Sequence, residues 1–308
     1  MDSRHRLAPD LTAGLGPGPA RLLFVHAHPD DETLATGVAM AHHVLAGDEV
    51  HLLTCTLGEE GEVIPPELKH LELEQGAARP EDQADPLAGV RAEELRRAMA
   101  VVGVASHEVL GADPARGLAS RFRDSGMAGA PSAEHPRAFV RADRDEAAAL
   151  VAEQIRRLRP HVVVTYDAHG GYDHPDHVQT HRVTVAAVAS LPAAERPLLF
   201  GRFTPRSWAE EDRRWVGEHV RPGPEGVHLP ESDAPYPASV VDDAVVTHEV
   251  VDPLAGERRT RALHEHRTQV RVFGGAYYAL SNDLAARLSG REGYAVLDPA
   301  SGAPVATR

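Results

Sequence analysis

Short apolar runs that alternate with segments of helical periodicity constrain the fold of this chain more than any other feature. Two of the runs predict buried strands: RLLFVHA (21–27) and the β-branched HVVVTYD (161–167). Further strands are predicted at 49–55, 107–110, 197–203 and 244–250. Because this alternation requires crossover helices, it favours an α/β, Rossmann-like fold with a mostly parallel sheet, helices on both faces and long connecting loops.

Helical periodicity predicts the crossover elements. Helices are expected after the first strand to about residue 46, and over 86–104, 143–160, 176–190 and 253–267. Loops are expected over 56–85, 111–142 and 204–240, which are rich in Gly, Pro and acidic residues. We expect residues 1–19 to form a flexible tail and residues 20–308 to form a single domain. No G-x-G-x-x-G follows the first strand, so a dinucleotide site is not predicted.

Charge and cysteine content exclude several classes of partner. The formal net charge of −14 argues against nucleic acid or an anionic membrane, since both attract basic surfaces. Cys55 is the only cysteine, so no disulfide is expected within the chain, and no apolar run approaches the length that crosses a bilayer. We therefore expect a cytoplasmic protein that acts on a small molecule, without an obligate protein partner.

Polar clusters follow two of the predicted strands. HAHPDDE (26–32) comes after the first strand and YDAHGGYDHPDH (166–177) after the strand at 161–167. In α/β sheets, ligands bind beyond the carboxyl ends of the strands. Histidines and carboxylates at such a place are typical of a catalytic metal site that keeps one position open for water. Adjacent side chains point in different directions, so one of Asp30 and Asp31 can bind the metal while the other accepts a proton.

Spacing alone leaves the metal ligands open. His174 and His177 are three residues apart and could share a metal. His177 and His181 lie one helical turn apart and could do the same. The residues by themselves therefore indicate a metal site without selecting its ligands.

The motifs AHPDDE and GGYDHPDH resemble those of the LmbE-like, or PIG-L-type, family of zinc-dependent N-acetylglucosaminyl deacetylases. TLGEEGEVI (56–64) and RDSGM (123–127) are similar to its mycothiol-pathway branch, and HRTQV (266–270) also matches. The resemblance implies hydrolysis of the acetamide of N-acetylglucosaminyl-inositol to the free amine and acetate. It also implies that the loops at this end of the sheet form the active site.

The resemblance further implies specific roles for the polar residues. One Zn²⁺ ion would be held by His28, Asp31 and His177, with Asp30 as general base and His181 as a neighbour on the helix. Ferrous iron would suit the same ligands, and its availability decides which ion is used in the cell.

Two more catalytic roles are implied for the second motif. Tyr172 is expected to donate to the oxyanion, with Gly170 and Gly171 giving it mobility. His174 is expected either to stabilise the oxyanion as an imidazolium or to protonate the leaving amine. Asp173 stands where a small residue is usual, and it should favour the charged form of His174.

Substrate contacts are implied for three residues outside the two clusters. Arg91 and Asp124 are expected to hydrogen-bond the sugar-inositol, and Glu62 to shape the site.

Two related activities and one unrelated function remain alternatives. Mycothiol S-conjugate amidases usually carry a lysine shortly after HPDDE, where this chain has TLATG. A deacetylase of another N-acetyl amino-sugar would keep the metal motif without the Arg91 and Asp124 contacts. A Rossmann-like binding module without catalysis would need no base beside the metal.

Overall fold

The computed structural model describes residues 8–73, 85–223 and 226–305. A central sheet carries five parallel strands in the order β3-β2-β1-β4-β5. Their bounds are β1 Arg21–His26, β2 Glu49–Thr54, β3 Ser106–Val109, β4 Val162–Tyr166 and β5 Leu198–Pro205. The predicted Rossmann-like, mostly parallel sheet is therefore confirmed.

Seven α-helices occur in the described part of the chain. They are α1 Asp31–Ala35, α2 Gly37–Ala46, α3 Pro86–Val102, α4 Arg144–Leu158, α5 Pro175–Ser190, α6 Arg206–His219 and α7 Pro253–Leu263. None of these helices is long and apolar enough to cross a lipid bilayer.

Alternate residues of β1 point to opposite faces of the sheet, and both faces are covered by helices. Leu22 and Phe24 are fully buried in a cluster that includes residues of α2, α3 and α7. Leu23 and Val25 are buried on the other face, with residues of α4 and α5. Burial on both faces explains why β1 is a continuous apolar run rather than an alternating one.

Local sequence signals place several helix ends. The Asp143 carboxylate accepts the N–H groups of Asp145 and Glu146, both at 2.9 Å, and so caps α4. Gly47 ends α2 with φ 89°, a left-handed conformation that glycine adopts without steric cost. The helix expected before Gly47 is split into α1 and α2 at Thr36.

The carboxyl-terminal part of the chain departs from the prediction. Within 204–240, expected to be irregular, the chain forms α6. Four strands after residue 267 were not predicted: β8 Arg271–Phe273, β9 Tyr277–Ala279, β10 Ala286–Arg287 and β11 Arg291–Val296. β11 pairs antiparallel with both β5 and β7 (His248–Val251) and extends the central sheet, and the two-residue β6 (Val240–Val241) pairs with β5. Charged residues and Gly293 interrupt the apolar pattern of β11, so its pairing depends on the neighbouring strands.

The expectation of a flexible tail over 1–19 is wrong for its described part. Leu11 is fully buried in the same cluster as Phe24. The Pro9 carbonyl accepts the N–H of Glu249, at 3.0 Å. Residues 8–19 therefore pack onto the domain, whereas residues 1–7 lie outside the described residues.

The strand order reverses beside β1, because the chain moves from β1 to β2 on one side and later returns to β4 on the other. The crevice at such a switch point lies outside the carboxyl ends of the strands. Both polar clusters begin there, the first after β1 and the second after β4.

Candidate active site

The loop after β1 places Asp30 and Asp31 in different backbone conformations. Asp31 starts α1, and its Oδ2 accepts the backbone N–H of His28 at 2.9 Å. Asp30 has φ 108° and ψ −34°, a region that L-residues rarely adopt. Such a conformation costs about 1–3 kcal/mol and persists only where surrounding contacts maintain it.

Three side-chain atoms form a nearly equilateral triangle at the carboxyl end of β1. Each pair among Nδ1 of His28, Oδ2 of Asp31 and Nε2 of His177 is 3.3 Å apart. Tetrahedral zinc with bonds of about 2.0–2.1 Å holds neighbouring ligand atoms about 3.3 Å apart. The spacing of the three atoms therefore fits a small divalent metal ion.

Hydrogen bonds orient both imidazole rings of the triangle. Nδ1 of His177 lies 3.0 Å from the Gly170 carbonyl, and Nε2 of His28 lies 3.2 Å from Oδ2 of Asp176. Each ring therefore directs its other nitrogen into the triangle, as is usual for metal-ligating histidines. Gly170 has φ 59°, and a Cβ there would lie only 2.4 Å from Cβ of His177, so the position requires glycine.

Other groupings in the same cluster could also hold a metal. Ligand atoms of His28, His174 and His177 lie within 4.8 Å of one another, as do those of His28, Asp124 and Asp176. Asp176 is fully buried, does not line the cavity, and its two oxygens already accept the N–H and hydroxyl of Ser125. The grouping with Asp176 therefore includes a residue that does not line the cavity, whereas His28, Asp31, His174 and His177 all line it.

His181 lies outside this cluster although it shares a helix with His177. Its Nδ1 is 2.9 Å from the Tyr166 carbonyl, and its Nε2 faces Gly302. Both ring nitrogens of His181 therefore face groups that are not members of the triangle. A helical i, i+4 pair of ligands is therefore not formed.

Tyr172 and His174 lie on the cavity wall beside the triangle. The Tyr172 side chain is about half exposed, and its ring centroid is 5.1 Å from that of His177. Nδ1 of His174 accepts the Asp176 N–H at 3.2 Å, which caps α5. Burial, together with His28 and His177, lowers the pKa of His174 to about 3.

The expectation that Asp173 favours a charged His174 is wrong. Asp173 is exposed, and its Oδ1 lies 3.0 Å from Nδ1 of His169. The carboxylate therefore pairs with the histidine at the start of the loop. Neutral His174 can still donate a hydrogen bond through Nε2, because Nδ1 is an acceptor.

The three predicted substrate contacts line the cavity, but two of them also hold the protein's own loops. The Arg91 guanidinium is buried and donates to the backbone carbonyls of Gly58 and Glu62. Oδ1 of Asp124 accepts the Gly126 N–H at 2.8 Å and lies 3.5 Å from Nε2 of His28. Glu62 is exposed at the edge of the cavity. The cavity has a volume of about 1040 Å³.

Sequence reasoning missed several supporting residues. The Tyr166 ring stacks on His177 with centroids 4.5 Å apart, and Asp176 orients His28 as described. Glu32 and His266 form a fully buried pair, with Nε2 of His266 2.9 Å from Oε1 of Glu32. The signal for this pair was present in HPDDE and HRTQV, but 234 residues separate its two members.

The chain is similar to a known family, to curated relatives and to solved structures. The profile of the family described as PIG-L, GlcNAc-PI de-N-acetylase, matches residues 23–188. A 1D-myo-inositol 2-acetamido-2-deoxy-alpha-D-glucopyranoside deacetylase from Thermomonospora curvata is 44% identical over 296 residues, which cover 93% of each chain. A protein of the same description from Actinosynnema mirum is 44% identical, covering 92% of this chain and 95% of the relative. The solved N,N'-diacetylchitobiose deacetylase of Pyrococcus horikoshii is 17% identical with a TM-score of 0.46, covering 81% of this chain and 70% of that one.

Proposed function

The chain belongs to the PIG-L family of de-N-acetylases, and from this premise we propose that it hydrolyses the acetamide of N-acetylglucosaminyl-inositol. The amide C–N bond breaks, the sugar keeps a free amine, and the acetyl group leaves as acetate. In the cell this reaction is a step of mycothiol biosynthesis. The observation that carries the proposal is the 3.3 Å triangle of His28, Asp31 and His177 with Asp30 beside it, facing a cavity of substrate size.

We assign the metal to the two histidines and one carboxylate of this triangle. These donors suit Zn²⁺, and they accept Fe²⁺ as well. A metal ion held there would supply Lewis acidity toward the amide oxygen and would acidify a water molecule. The hydrogen bonds that the two rings donate to the Gly170 carbonyl and the Asp176 carboxylate keep both rings oriented for this task.

Asp30 acts as the general base in this proposal. Its side chain lines the cavity, and Asp31, not Asp30, belongs to the triangle. Burial, with a further contribution from Asp31, raises the pKa of the Asp30 carboxyl well above its usual range. A higher pKa makes the carboxylate a better proton acceptor near neutral pH. Asp30 takes a proton from the attacking water as the carbon–oxygen bond forms.

Tyr172 and His174 stabilise the oxyanion that develops on the acetamide. The Tyr172 hydroxyl approaches from a loop that contains two glycines with positive φ. His174 donates from Nε2 as a neutral ring, and donors preorganised at such a site strongly stabilise developing charge. Asp30 then passes this proton to the amide nitrogen as the C–N bond breaks, so that the nitrogen leaves as a neutral amine.

Recognition of the sugar is assigned to Arg91, Asp124 and Glu62. Arg91 and Asp124 are buried at the cavity wall and already anchored, so little side-chain entropy is lost when a hydroxyl group binds. Glu62 contributes from the edge of the cavity.

The size of the cavity favours a second candidate activity. At about 1040 Å³ it lies slightly above the roughly 300–1,000 Å³ usual for small-molecule sites. A mycothiol S-conjugate, which is larger than the sugar-inositol, could therefore enter, and amidase activity is the alternative.

Amine release by the zinc-loaded protein tests both activities. N-acetylglucosaminyl-inositol and a mycothiol S-conjugate are offered separately, with a chelator-treated sample as control. Faster metal-dependent turnover of the first supports the deacetylase, and faster turnover of the conjugate identifies the amidase. Turnover of neither contradicts both activities.

A further inference from the structure

A short segment of the carboxyl-terminal region, residues 266–270, contacts the loop that carries the proposed base. Nε2 of His266 lies 2.9 Å from Oε1 of Glu32. Three residues later, Nε2 of Gln269 donates to the Pro29 carbonyl at 2.6 Å. The side chains of His266 and Glu32 are completely buried, so water does not compete for their hydrogen bond.

The Glu32 carboxylate is also hydrogen-bonded to the backbone of Asp30. Its Oε2 accepts the Asp30 N–H at 3.0 Å, while its Oε1 faces His266 and accepts the Thr33 hydroxyl at 2.5 Å. One carboxylate thus connects the His266 ring to the peptide nitrogen of Asp30.

The two hydrogen bonds act on a single peptide plane. The Pro29 carbonyl and the Asp30 N–H belong to the same planar peptide unit. The torsion φ of Asp30 is the rotation about the N–Cα bond that leads out of this plane. Gln269 holds one polar end of the plane, and His266 holds the other through Glu32. Holding both ends of the plane restrains φ of Asp30, which has the unusual value of 108°.

The segment is itself anchored from the opposite side. Glu94 of α3 accepts the N–H of Thr268 at 2.9 Å and its hydroxyl at 2.6 Å. The Thr268 carbonyl accepts the N–H of Ile64, at 2.9 Å. Residues 266–270 are therefore held by a helix and a second loop. This anchoring opposes movement of the peptide plane to which they are hydrogen-bonded.

We propose that His266 and Gln269 are positioning residues that clamp the Pro29–Asp30 peptide and thereby aim the Asp30 carboxylate. This inference rests on the proposed function, in which Asp30 is the base. Without the clamp, the peptide plane turns toward an ordinary negative φ, and the carboxylate moves away from the water that it deprotonates. The metal ligands stay in place, because Asp31 and the two histidines are held by other contacts.

The test compares steady-state kinetics and metal content of His266→Ala, Gln269→Ala and His266→Gln. We expect both alanine variants to keep one metal per chain and a KM within about twofold, while kcat falls by about 10²-fold, as for a catalytic group displaced by about 1 Å. The glutamine variant restores most of kcat, because its amide can donate to Glu32. Gln269→Ala removes a single amide and remains informative where His266→Ala does not fold.

A second buried histidine–carboxylate pair supplies the matched control. His43 is 1% exposed, and its Nδ1 lies 2.8 Å from Asp48, which binds the backbone just before β1 at the opposite end of the sheet. His43→Ala should lower the melting temperature and leave kcat unchanged. An equal loss of kcat in this variant would mean that His266 acts only through general stability.

Crystal structures of the two alanine variants give a readout that does not depend on activity. A negative φ at Asp30 supports the clamp, and φ near 108° overturns it. Unchanged kcat in both folded variants, or loss of the metal in step with kcat, also overturns it. Where the unaltered protein does not turn over N-acetylglucosaminyl-inositol, the proposed function fails, and φ at Asp30 still decides about the clamp.

Discussion

The side chains of adjacent residues 30 and 31 are placed differently because their backbone torsions differ. Asp31 begins α1, and its Oδ2 lies 3.3 Å from a ring nitrogen of each of two histidines. Asp30 precedes the helix with a positive φ, and its carboxylate lines the cavity outside the metal triangle. A sequence of two aspartates therefore yields one proposed metal ligand and one proposed base.

Replacement of the base isolates its chemical role. Asparagine keeps the shape of Asp30 and tolerates positive φ, but it cannot accept a proton. We expect Asp30→Asn to bind one metal per chain and to lose about 10²–10⁴-fold in kcat. Kinetics and metal analysis of the same preparation check this, and near-normal turnover would remove Asp30 as the base.

A pair of variants on α5 tests the metal ligands. His177→Ala removes one corner of the triangle and should abolish stoichiometric metal binding and turnover. His181→Ala, one turn further along the helix, should retain the metal, since its ring faces the Tyr166 carbonyl. Metal content by mass spectrometry checks both, and the opposite pattern would return His181 to the ligand set.

Among the helices and strands, each element near the site joins an apolar part to a polar end. Apart from the half-buried Arg21, β1 and β4 are buried, and the loops with the proposed metal ligands follow at their carboxyl ends. α5 begins at the second loop and packs extensively against α4, which itself contributes no residue to the cavity. Substitutions on α4 can therefore change the stability of the fold without changing the residues of the proposed active site.

The capping residue of α4, Asp143, can be replaced to change stability alone. Asp143→Ala removes the acceptor for two N–H groups and should cost about 1 kcal/mol of unfolding free energy, with kcat unchanged. Glu153→Ala, on the exposed side of the same helix, should change stability by less than about 0.5 kcal/mol. Urea unfolding checks both values, and a large loss of kcat in the first would link α4 to the site.

For the whole molecule, distant parts of the chain complete one sheet and one core. Leu11, before the first strand, packs in the cluster that contains Phe24 and Tyr294. Tyr294 lies on β11, which pairs between β5 and β7. The two ends of the described chain are thus integral to the same layer of packing.

Truncation of a side chain tests this role of the amino-terminal region. Leu11→Ala leaves a cavity in a packed core and should cost about 2–5 kcal/mol. Leu45→Ala, at a side chain that is 48% exposed, should cost less than about 0.5 kcal/mol. Denaturant unfolding compares the two, and equal small effects would mean that residues 8–19 do not stabilise the domain.

Much of the fold could be predicted because its signals are local. The runs that form β1 and β4, the cap at Asp143 and the stop at Gly47 each depend on a few neighbouring residues. β11 could not be predicted in this way, since a strand with two charges and a glycine is stabilised by the partners on either side of it. The same holds for Leu11, whose burial depends on the core that it meets.

The residue types of the site, and the strand ends at which they lie, can be taken from the amino-acid sequence alone. Their chemistry is carried by the side chains and does not depend on long-range packing. Only the tertiary structure decided which atoms meet: Nδ1 of His28 faces Nε2 of His177 across 149 residues, Arg91 binds loop carbonyls, and His266 reaches Glu32. The physical reason is that hydrogen bonds and metal sites require distances within a few tenths of an ångström, and the packing of the whole sheet sets those distances.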